Sequence, residues 1–133
     1  MFPPPYEIVQ IQLPVIAAGT DGRQDYLWAL PYDGVVESVQ FLPSQALTAH
    51  DTNYTDLSVE VGGTEIASEQ TTTGDTGNLV AGTEISAALL VSGTSLEVTS
   101  GDAIEFIKTD AGTGVAFSGT AVIKVRIDRN GVG

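Results

Sequence analysis

Cysteine is absent from this chain of 133 residues, and basic residues are few. Without cysteine the chain has no disulfide bond, no thiolate nucleophile and no cysteine metal ligand. The absence of cysteine is compatible with an oxidising or a reducing compartment, because a chain of this length buries enough apolar surface to fold without cross-links. Five Lys and Arg stand against seventeen Asp and Glu, a formal net charge of −12. A surface this acidic repels phosphate backbones, so we expect no nucleic-acid partner.

Long hydrophobic runs are also missing. The first six residues, Met1 to Tyr6, contain no basic cluster, and no long apolar stretch follows them. Signal peptides and membrane spans need such features. We therefore expect neither of them in this sequence.

Histidine occurs once, at His50. Asp51 follows it directly, and a carboxylate beside an imidazole is how a general base is oriented. No Gly-x-Ser-x-Gly elbow or other nucleophile motif accompanies the pair. We therefore expect a solvated surface histidine, no catalytic residue, no cofactor and no enzyme activity.

What the chain does contain is a series of β-strand patterns separated by Gly, Asp, Asn and Pro. The last one is the clearest, because alternation puts Ala121, Ile123, Val125 and Ile127 on one face and Val122, Lys124 and Arg126 on the other. The spacing predicts an all-β fold in a single domain, an antiparallel β-sandwich or barrel, of which we favour the β-sandwich. Its strands are predicted at 26–30, 35–42, 55–61, 65–68, 84–91, 96–99, 103–108, 115–118 and 121–128.

Residues 1–18 differ from the rest, since three consecutive prolines favour an extended polyproline conformation. We predict an extended N-terminal arm over 1–18, a β-sandwich domain over 19–128 and a short tail over 129–133. Glu7 to Leu13 alternates as a strand does, and it could add to the edge of a partner's sheet. The turn cluster Gly19-Thr-Asp-Gly22 separates the arm from the sandwich.

The connections between strands carry the remaining polar signals. Asp33-Gly34 predicts a tight turn, and the polar stretch from Gln70 to Asn78 predicts a mobile surface loop. The oxygens of Asp51, Asn53 and Asp56 could bind a hard cation such as calcium. Because Asp and Asn also occupy turns for local hydrogen bonding, we favour a structural turn and predict no metal site.

The aromatic residues Tyr26, Trp28 and Tyr32 have two interpretations. They could stack against sugar rings as an exposed platform, or they could supply core area. Alternation requires one face of this segment to point inward, so we favour the core.

Two segments are candidates for binding a partner, either another protein or a neighbouring copy of this chain. Lys124 and Arg126 project from the last strand, and they either pair with acids of a neighbouring strand or contact an acidic partner. The proline segment resembles a preordered docking peptide. The candidate partner-binding residues are Phe2, Pro3, Pro4, Pro5, Tyr6, Lys124 and Arg126.

Two stretches carry a resemblance to a known family. One is Gly34-Val-Val-Glu-Ser-Val-Gln-Phe-Leu-Pro43 with Tyr54 to Val61. The other is Leu96-Glu-Val-Thr-Ser-Gly-Asp-Ala-Ile-Glu-Phe106, followed by Gly112-Thr-Gly-Val115 and by Ala121 to Ile127. Together they resemble the small head proteins of tailed bacteriophages that decorate the capsid exterior. The resemblance covers about residues 24–128 and has no counterpart for residues 1–18.

This resemblance implies a jelly-roll or related β-sandwich that binds the outer face of an assembled shell and cements it, commonly as a trimer. It further implies a location on the virion after assembly in the host cytoplasm, with the major capsid protein as partner. The alternative from another class is a carbohydrate-binding β-sandwich module, for which Trp28 would be the first residue to test. A hydrolase ranks third.

Overall fold

The computed structural model describes residues 5–26 and 30–127. Within them the chain forms strands and one short 3-10 turn, Gly93–Leu96, and no α-helix. None of the described residues forms a helix long and apolar enough to cross a membrane. The strands are β1 (Tyr6–Ile16), β2 (Gly22–Asp25), β3 (Gly34–Pro43), β4 (Tyr54–Val61), β5 (Thr64–Gln70), β6 (Ile85–Ala87), β7 (Glu97–Val98), β8 (Ile104–Ala111) and β9 (Phe117–Ile127).

The strands form two antiparallel sheets that pack face to face, which confirms the predicted all-β sandwich. Sheet A has the order β1-β9-β3-β6, with β7 also paired to β3, and sheet B has the order β2-β8-β4-β5. The pairing is nested: β1 pairs with β9, β2 with β8, β3 with β6 and β4 with β5. A long hairpin rolled up in this way, with its paired strands divided between two sheets, is the winding of a jelly roll.

The core lies between the two sheets and is built by alternate residues of the long strands. Phe106 of β8 stacks on Phe41 of β3 with ring centroids 5.3 Å apart, and it meets the edge of Phe117 at 6.1 Å. These three rings are fully buried or nearly so, as are Ile123 and Val125 of β9. The alternation predicted for the last strand is therefore observed, with Ile127 half-buried at its end.

Residues 6–16 differ from the prediction of a separate arm. They form β1, whose Val9, Ile11 and Leu13 are at most 2% exposed and contribute to the common core. Burying three large aliphatic side chains stabilises the folded state by several kcal/mol. The hydrophobic effect thus places this strand in the sandwich, and the sequence boundary at residue 18 is only the connection from β1 to β2.

The bounds of several other strands differ from the predicted bounds because strand pairing determines where each strand begins and ends. The predicted strand 26–30 falls largely on residues outside the described part, whereas 22–25 forms β2 against β8. The patterns at 115–118 and 121–128 merge into one strand, β9, because Gly119 continues in extended conformation and pairs with both Leu13 and Pro43. Of 84–91 only Ile85–Ala87 pairs as a strand.

Gly34 does not form the tight turn predicted from Asp33-Gly34. It is the first residue of β3, has no positive φ, and pairs with Ile127 and Val98. A Cβ at this position would lie 2.7 Å from the Arg126 carbonyl oxygen and 2.9 Å from a methyl of Val125. Glycine is therefore required here by close packing against β9.

A buried ion pair fixes the connection between β1 and β2. Lys108, on the inner face of β8, is fully buried, and its Nζ lies 2.7 and 2.8 Å from the two carboxylate oxygens of Asp110. The same Nζ donates to the carbonyl oxygens of Ala17 and Thr20, at 3.2 and 2.8 Å. The Asp110 carboxylate also accepts the backbone N–H of Gly19. All three ammonium protons are thus satisfied, as a buried lysine requires.

Burial alone would raise the pKa of Asp110, but the hydrogen bonds and the charge of Lys108 outweigh it. The pKa of this carboxyl therefore lies below its ordinary value. The carboxylate form is the one that the fold stabilises, and the ion pair holds the β1–β2 connection against β8.

Candidate binding surface

The outer face of sheet A carries apolar and neutral polar side chains, two cations, Lys124 and Arg126, and two carboxylates, Glu37 and Glu97. We define it by the outward residues of β1, β9 and β3, whose register places them in rows across the three strands. Ile8, Lys124 and Ser38 form one row, and the next contains Gln10, Val122 and Gln40. The remaining members are Tyr6, Gln12, Val35, Leu42, Thr120 and Arg126.

The structure brings the two predicted partner-binding segments together on this face. Tyr6 lies opposite Arg126 in the pairing of β1 with β9, and the carbonyl oxygen of Pro5 accepts the N–H of Ile127 at 2.9 Å. The Lys124 Nζ lies 4.2 Å from the centroid of the Tyr6 ring, a cation–π contact. Phe2, Pro3 and Pro4 lie outside the described residues.

Arg126 contacts Glu37, which projects at the bulge of β3, with 3.6 Å between Nε and Oε2. Both side chains are substantially exposed, so the pair contributes well under 1 kcal/mol to stability. Pairing with an acid of a neighbouring strand, one of the two sequence interpretations, is thus observed for Arg126. The Lys124 Nζ has no carboxylate within salt-bridge distance among the described residues.

The outer face of sheet B is strongly acidic by contrast. Register places one carboxylate on each of its four strands in a single row, namely Asp25, Glu105, Glu60 and Glu65. Burial and then the neighbouring carboxylates raise the pKa of Glu65, and burial and Asp25 raise that of Glu105. Arg23 partly offsets the effect on Glu105 through a 3.0 Å ion pair. The two broad faces of the sandwich therefore differ in electrostatic character.

His50 and Asp51 are not arranged as a catalytic pair. The His50 Nδ1 accepts the backbone N–H groups of Thr52 and Asn53 at 3.1 and 2.8 Å, which closes a local turn. The Asp51 carboxylate accepts the backbone N–H and the hydroxyl of Thr73. These hydrogen bonds, together with the charge of His50, lower the pKa of Asp51. Both side chains therefore organise loops.

The side chains considered for a cation are directed to different partners. Asp51 contacts Thr73, the Asn53 side-chain oxygen accepts the N–H of Thr113 at 2.9 Å, and Asp56 lies on the outer face of β4. Within residues 5–26 and 30–127 no three His, Asp or Glu side chains are grouped so as to hold a metal ion. The hydrogen bonds that Asp51 and Asn53 accept from backbone N–H groups favour a structural turn in this loop.

The 70–78 loop is anchored to the sandwich. Thr71 is fully buried, and its hydroxyl accepts the N–H of Thr55 at 2.9 Å. The Asp75 carboxylate accepts the N–H of Gln70 at 2.7 Å, and Asp51 holds Thr73 as described above. The loop is polar because these groups bond to one another, which differs from the prediction of a mobile excursion.

Glu69 lies beside this loop and has a strongly shifted acidity. Burial, a hydrogen bond with Asp75 and the charges of Asp75 and Asp56 raise the pKa of Glu69 to about 7, against the effect of the Ala88 N–H that it accepts. The inner-facing side of an edge strand thus carries a carboxyl group that holds its proton near neutral pH.

The described aromatic residues turn toward the first strand rather than forming an open platform. The Tyr26 hydroxyl donates to Glu7 at 2.9 Å, and Tyr32 packs against the core with its hydroxyl buried. The hydrogen bond to Glu7, followed by burial, raises the pKa of Tyr26, and burial raises that of Tyr32. Trp28 lies outside the described residues.

Sequence reasoning missed the ion pair of Lys108 and the acidic row. Continuing the alternation of Ile104 and Phe106 to Lys108 would have placed the lysine inward, which is the signal that was available. The acidic row had no signal of this kind, because its members come together only through the register of four strands. Comparison of the chain with protein-family models, with curated proteins and with solved structures gives no match.

Proposed function

We propose that this chain is a non-enzymatic structural protein of a bacteriophage virion, which binds the capsid exterior and cements the shell. The observation that carries the proposal is the contrast between its two faces. On a protein of net charge −12, the outer face of sheet A combines exposed Ile8 and Tyr6 with Lys124 and Arg126. Interfaces are typically enriched in aromatic side chains and arginine. The two carboxylates described on this face, Glu37 and Glu97, are matched by its two cations, whereas the outer face of sheet B carries a row of four carboxylates.

The resemblance supplies the class of partner. The segments that carry it become β3, β4, β7, β8 and β9, which form most of both sheets. Jelly rolls serve in viral coats and in sugar-binding domains alike, so fold alone does not decide between these functions. For the cement function the protein needs a complementary surface and no reactive group.

Cementing follows from mass action. A protein that binds the assembled lattice and not its free subunits stabilises the lattice by about 2.7 kcal/mol per site when its free concentration is a hundredfold above Kd. A capsid offers many equivalent sites, so weak individual contacts suffice. The orientation we propose places sheet A against the shell and the acidic row of sheet B toward solvent.

Co-sedimentation with mature, undecorated phage capsids tests the proposal. Purified protein should pellet with capsids in a saturable amount, and saturated capsids should release their genome at a higher temperature than bare ones. Protein that stays in the supernatant with the capsids offered, while a glycan array binds it, would favour the carbohydrate-binding alternative.

A further inference from the structure

The first strand has an open edge. Among the described residues β1 pairs with β9 alone, and the bond from Ile127 N–H to the Pro5 carbonyl fixes which residues face β9. In an antiparallel pair, alternate residues bond to the partner strand, so the odd-numbered residues of β1 are bonded to β9. The backbone groups of Tyr6, Ile8, Gln10 and Gln12 point away from it. No described residue hydrogen-bonds to those backbone groups.

The other edge strands are short, or a bulge and a neighbouring segment limit access to them. β2 and β6 have four and three residues, and β7 has two. β5 has a bulge in its pairing with β4 and is covered in part by residues 88–90, since Leu90 N–H donates to Ile66. β1 has eleven residues, and within the described part of the chain its first half has no bulge and no covering segment. Long edges without lysine, bulge or cover pair readily with another strand.

The far end of β1 limits where pairing can occur. Pro14 occupies an even position, where its missing N–H faces the open edge, and the register shifts between Leu13 and Ile16. The accessible segment therefore runs from Tyr6 to Gln12. Its single charged side chain, Glu7, faces inward and accepts the Tyr26 hydroxyl.

We propose that this edge pairs with the same edge of a second copy, antiparallel across a two-fold axis. The open residues match themselves when Tyr6 lies opposite Gln12 of the second copy and Ile8 opposite its Gln10, with the axis at Val9. All four open residues of each copy are then used, in about eight backbone hydrogen bonds. Sheet A would continue from one copy into the next.

The charge distribution favours a second copy of the chain at the edge of β1. Two copies with −12 each repel, so they approach through a surface low in acids. The outer face beside β1 carries Lys124 on its neighbouring strand and neutral Gln10 and Gln12 on β1 itself. The acidic row lies on the other sheet. The inference does not depend on capsid binding.

Sedimentation equilibrium of the full chain, combined with amide hydrogen exchange, tests the pairing. We expect a species of twice the 13.8 kDa chain mass, with slow exchange at Ile8, Gln10 and Gln12 that becomes fast on dilution. Gln10→Pro removes an outward donor from each copy and leaves the bonds to β9 in place, so it should weaken the dimer about 100-fold.

A matched pair separates edge pairing from docking through the flat face. Gln10→Lys adds a charge at the edge, and Gln40→Lys adds the same charge in the same row, two strands away. Gln10→Lys should give monomers and Gln40→Lys should not. A wild-type chain that stays monomeric into the millimolar range would overturn the proposal. So would a trimer, the state that the family resemblance implies, or a dimer that Gln10→Lys leaves intact.

Discussion

The Lys124 ammonium lies 4.2 Å from the centroid of the Tyr6 ring, although the two residues stand near opposite ends of the described chain. Pairing of β1 with β9 causes this proximity, and it joins two candidate binding segments into one surface. The contact also orients the Lys124 side chain along the outer face of sheet A. This surface, rather than a projecting arm, is the centre of the functional account.

The buried ion pair should be the most sensitive polar element of the fold. Lys108→Met leaves the Asp110 carboxylate buried without its cation, so unfolding should become easier by about 3–5 kcal/mol. Denaturant titration followed by tryptophan fluorescence or circular dichroism measures this. Asp110→Asn should be similarly destabilising, since it leaves the ammonium unpaired.

The double variant Lys108→Met/Asp110→Asn is the control for coupling. With both charges removed, its loss should be smaller than the sum of the single losses by about 2 kcal/mol. Strictly additive losses would show that the pair is not coupled.

The pKa of Asp110 is lowered in the folded state. The stabilisation from its carboxylate is therefore complete above the unfolded-state pKa and is lost as pH falls through the folded-state pKa.

Glu69 should make stability fall as pH rises toward neutral. Its pKa is raised to about 7 from an ordinary 4.5, so the folded state holds this proton more tightly than the unfolded state. The benefit is present below pH 4.5 and is lost as pH rises through 7. Glu69→Gln keeps a neutral side chain at every pH, so it should stabilise the protein at pH 8 by about 1 kcal/mol after solvent screening.

At pH 4 the same Glu69→Gln variant should match the wild type in thermal unfolding. Glu84→Gln, which neutralises an exposed loop carboxylate, serves as the matched control for a change of net charge. An equal gain from both variants at pH 8 would attribute the effect to net charge and not to the site of Glu69.

Gly34→Ala should destabilise the protein by about 2 kcal/mol, because the added methyl meets the Arg126 carbonyl oxygen and Val125. Gly74→Ala is the matched control, since its Cβ would have no atom of the described residues within 4 Å and its φ is not positive. Its unfolding free energy should stay within about 0.5 kcal/mol of wild type. Equal effects at the two positions would contradict the close approach of β3 and β9.

The fold class was predictable because strand patterns recur at short spacing along the chain, and β9 shows the clearest one. Its apolar residues occur at every second position, and this short-range pattern survives any tertiary arrangement. β2 could not be predicted, since Gly22 to Asp25 contains no apolar side chain and becomes a strand only by pairing with β8. The three prolines before β1 favour an extended arm, whereas the burial of Val9, Ile11 and Leu13 places β1 in the sandwich.

The candidate surface was predictable in part, because alternation along β9 shows which of its side chains point outward. Alternation alone puts Lys124 and Arg126 outward, but the position of Tyr6 beside them depends on a pairing between the two ends of the chain. The acidic row of sheet B depends on three successive registers. Long-range pairings of this kind leave no trace in local periodicity.

Charge reversal on the two opposite faces tests the central claim most directly. Lys124→Glu alters the outer face of sheet A, and Arg23→Glu makes the same kind of change on the outer face of sheet B, where Arg23 pairs with Glu105. Both proteins should remain folded. Quantitative co-sedimentation with mature, undecorated capsids then gives the two Kd values. The account predicts binding weakened about tenfold or more by Lys124→Glu and unchanged within about twofold by Arg23→Glu. The reverse order, or equal loss from both variants, would contradict it.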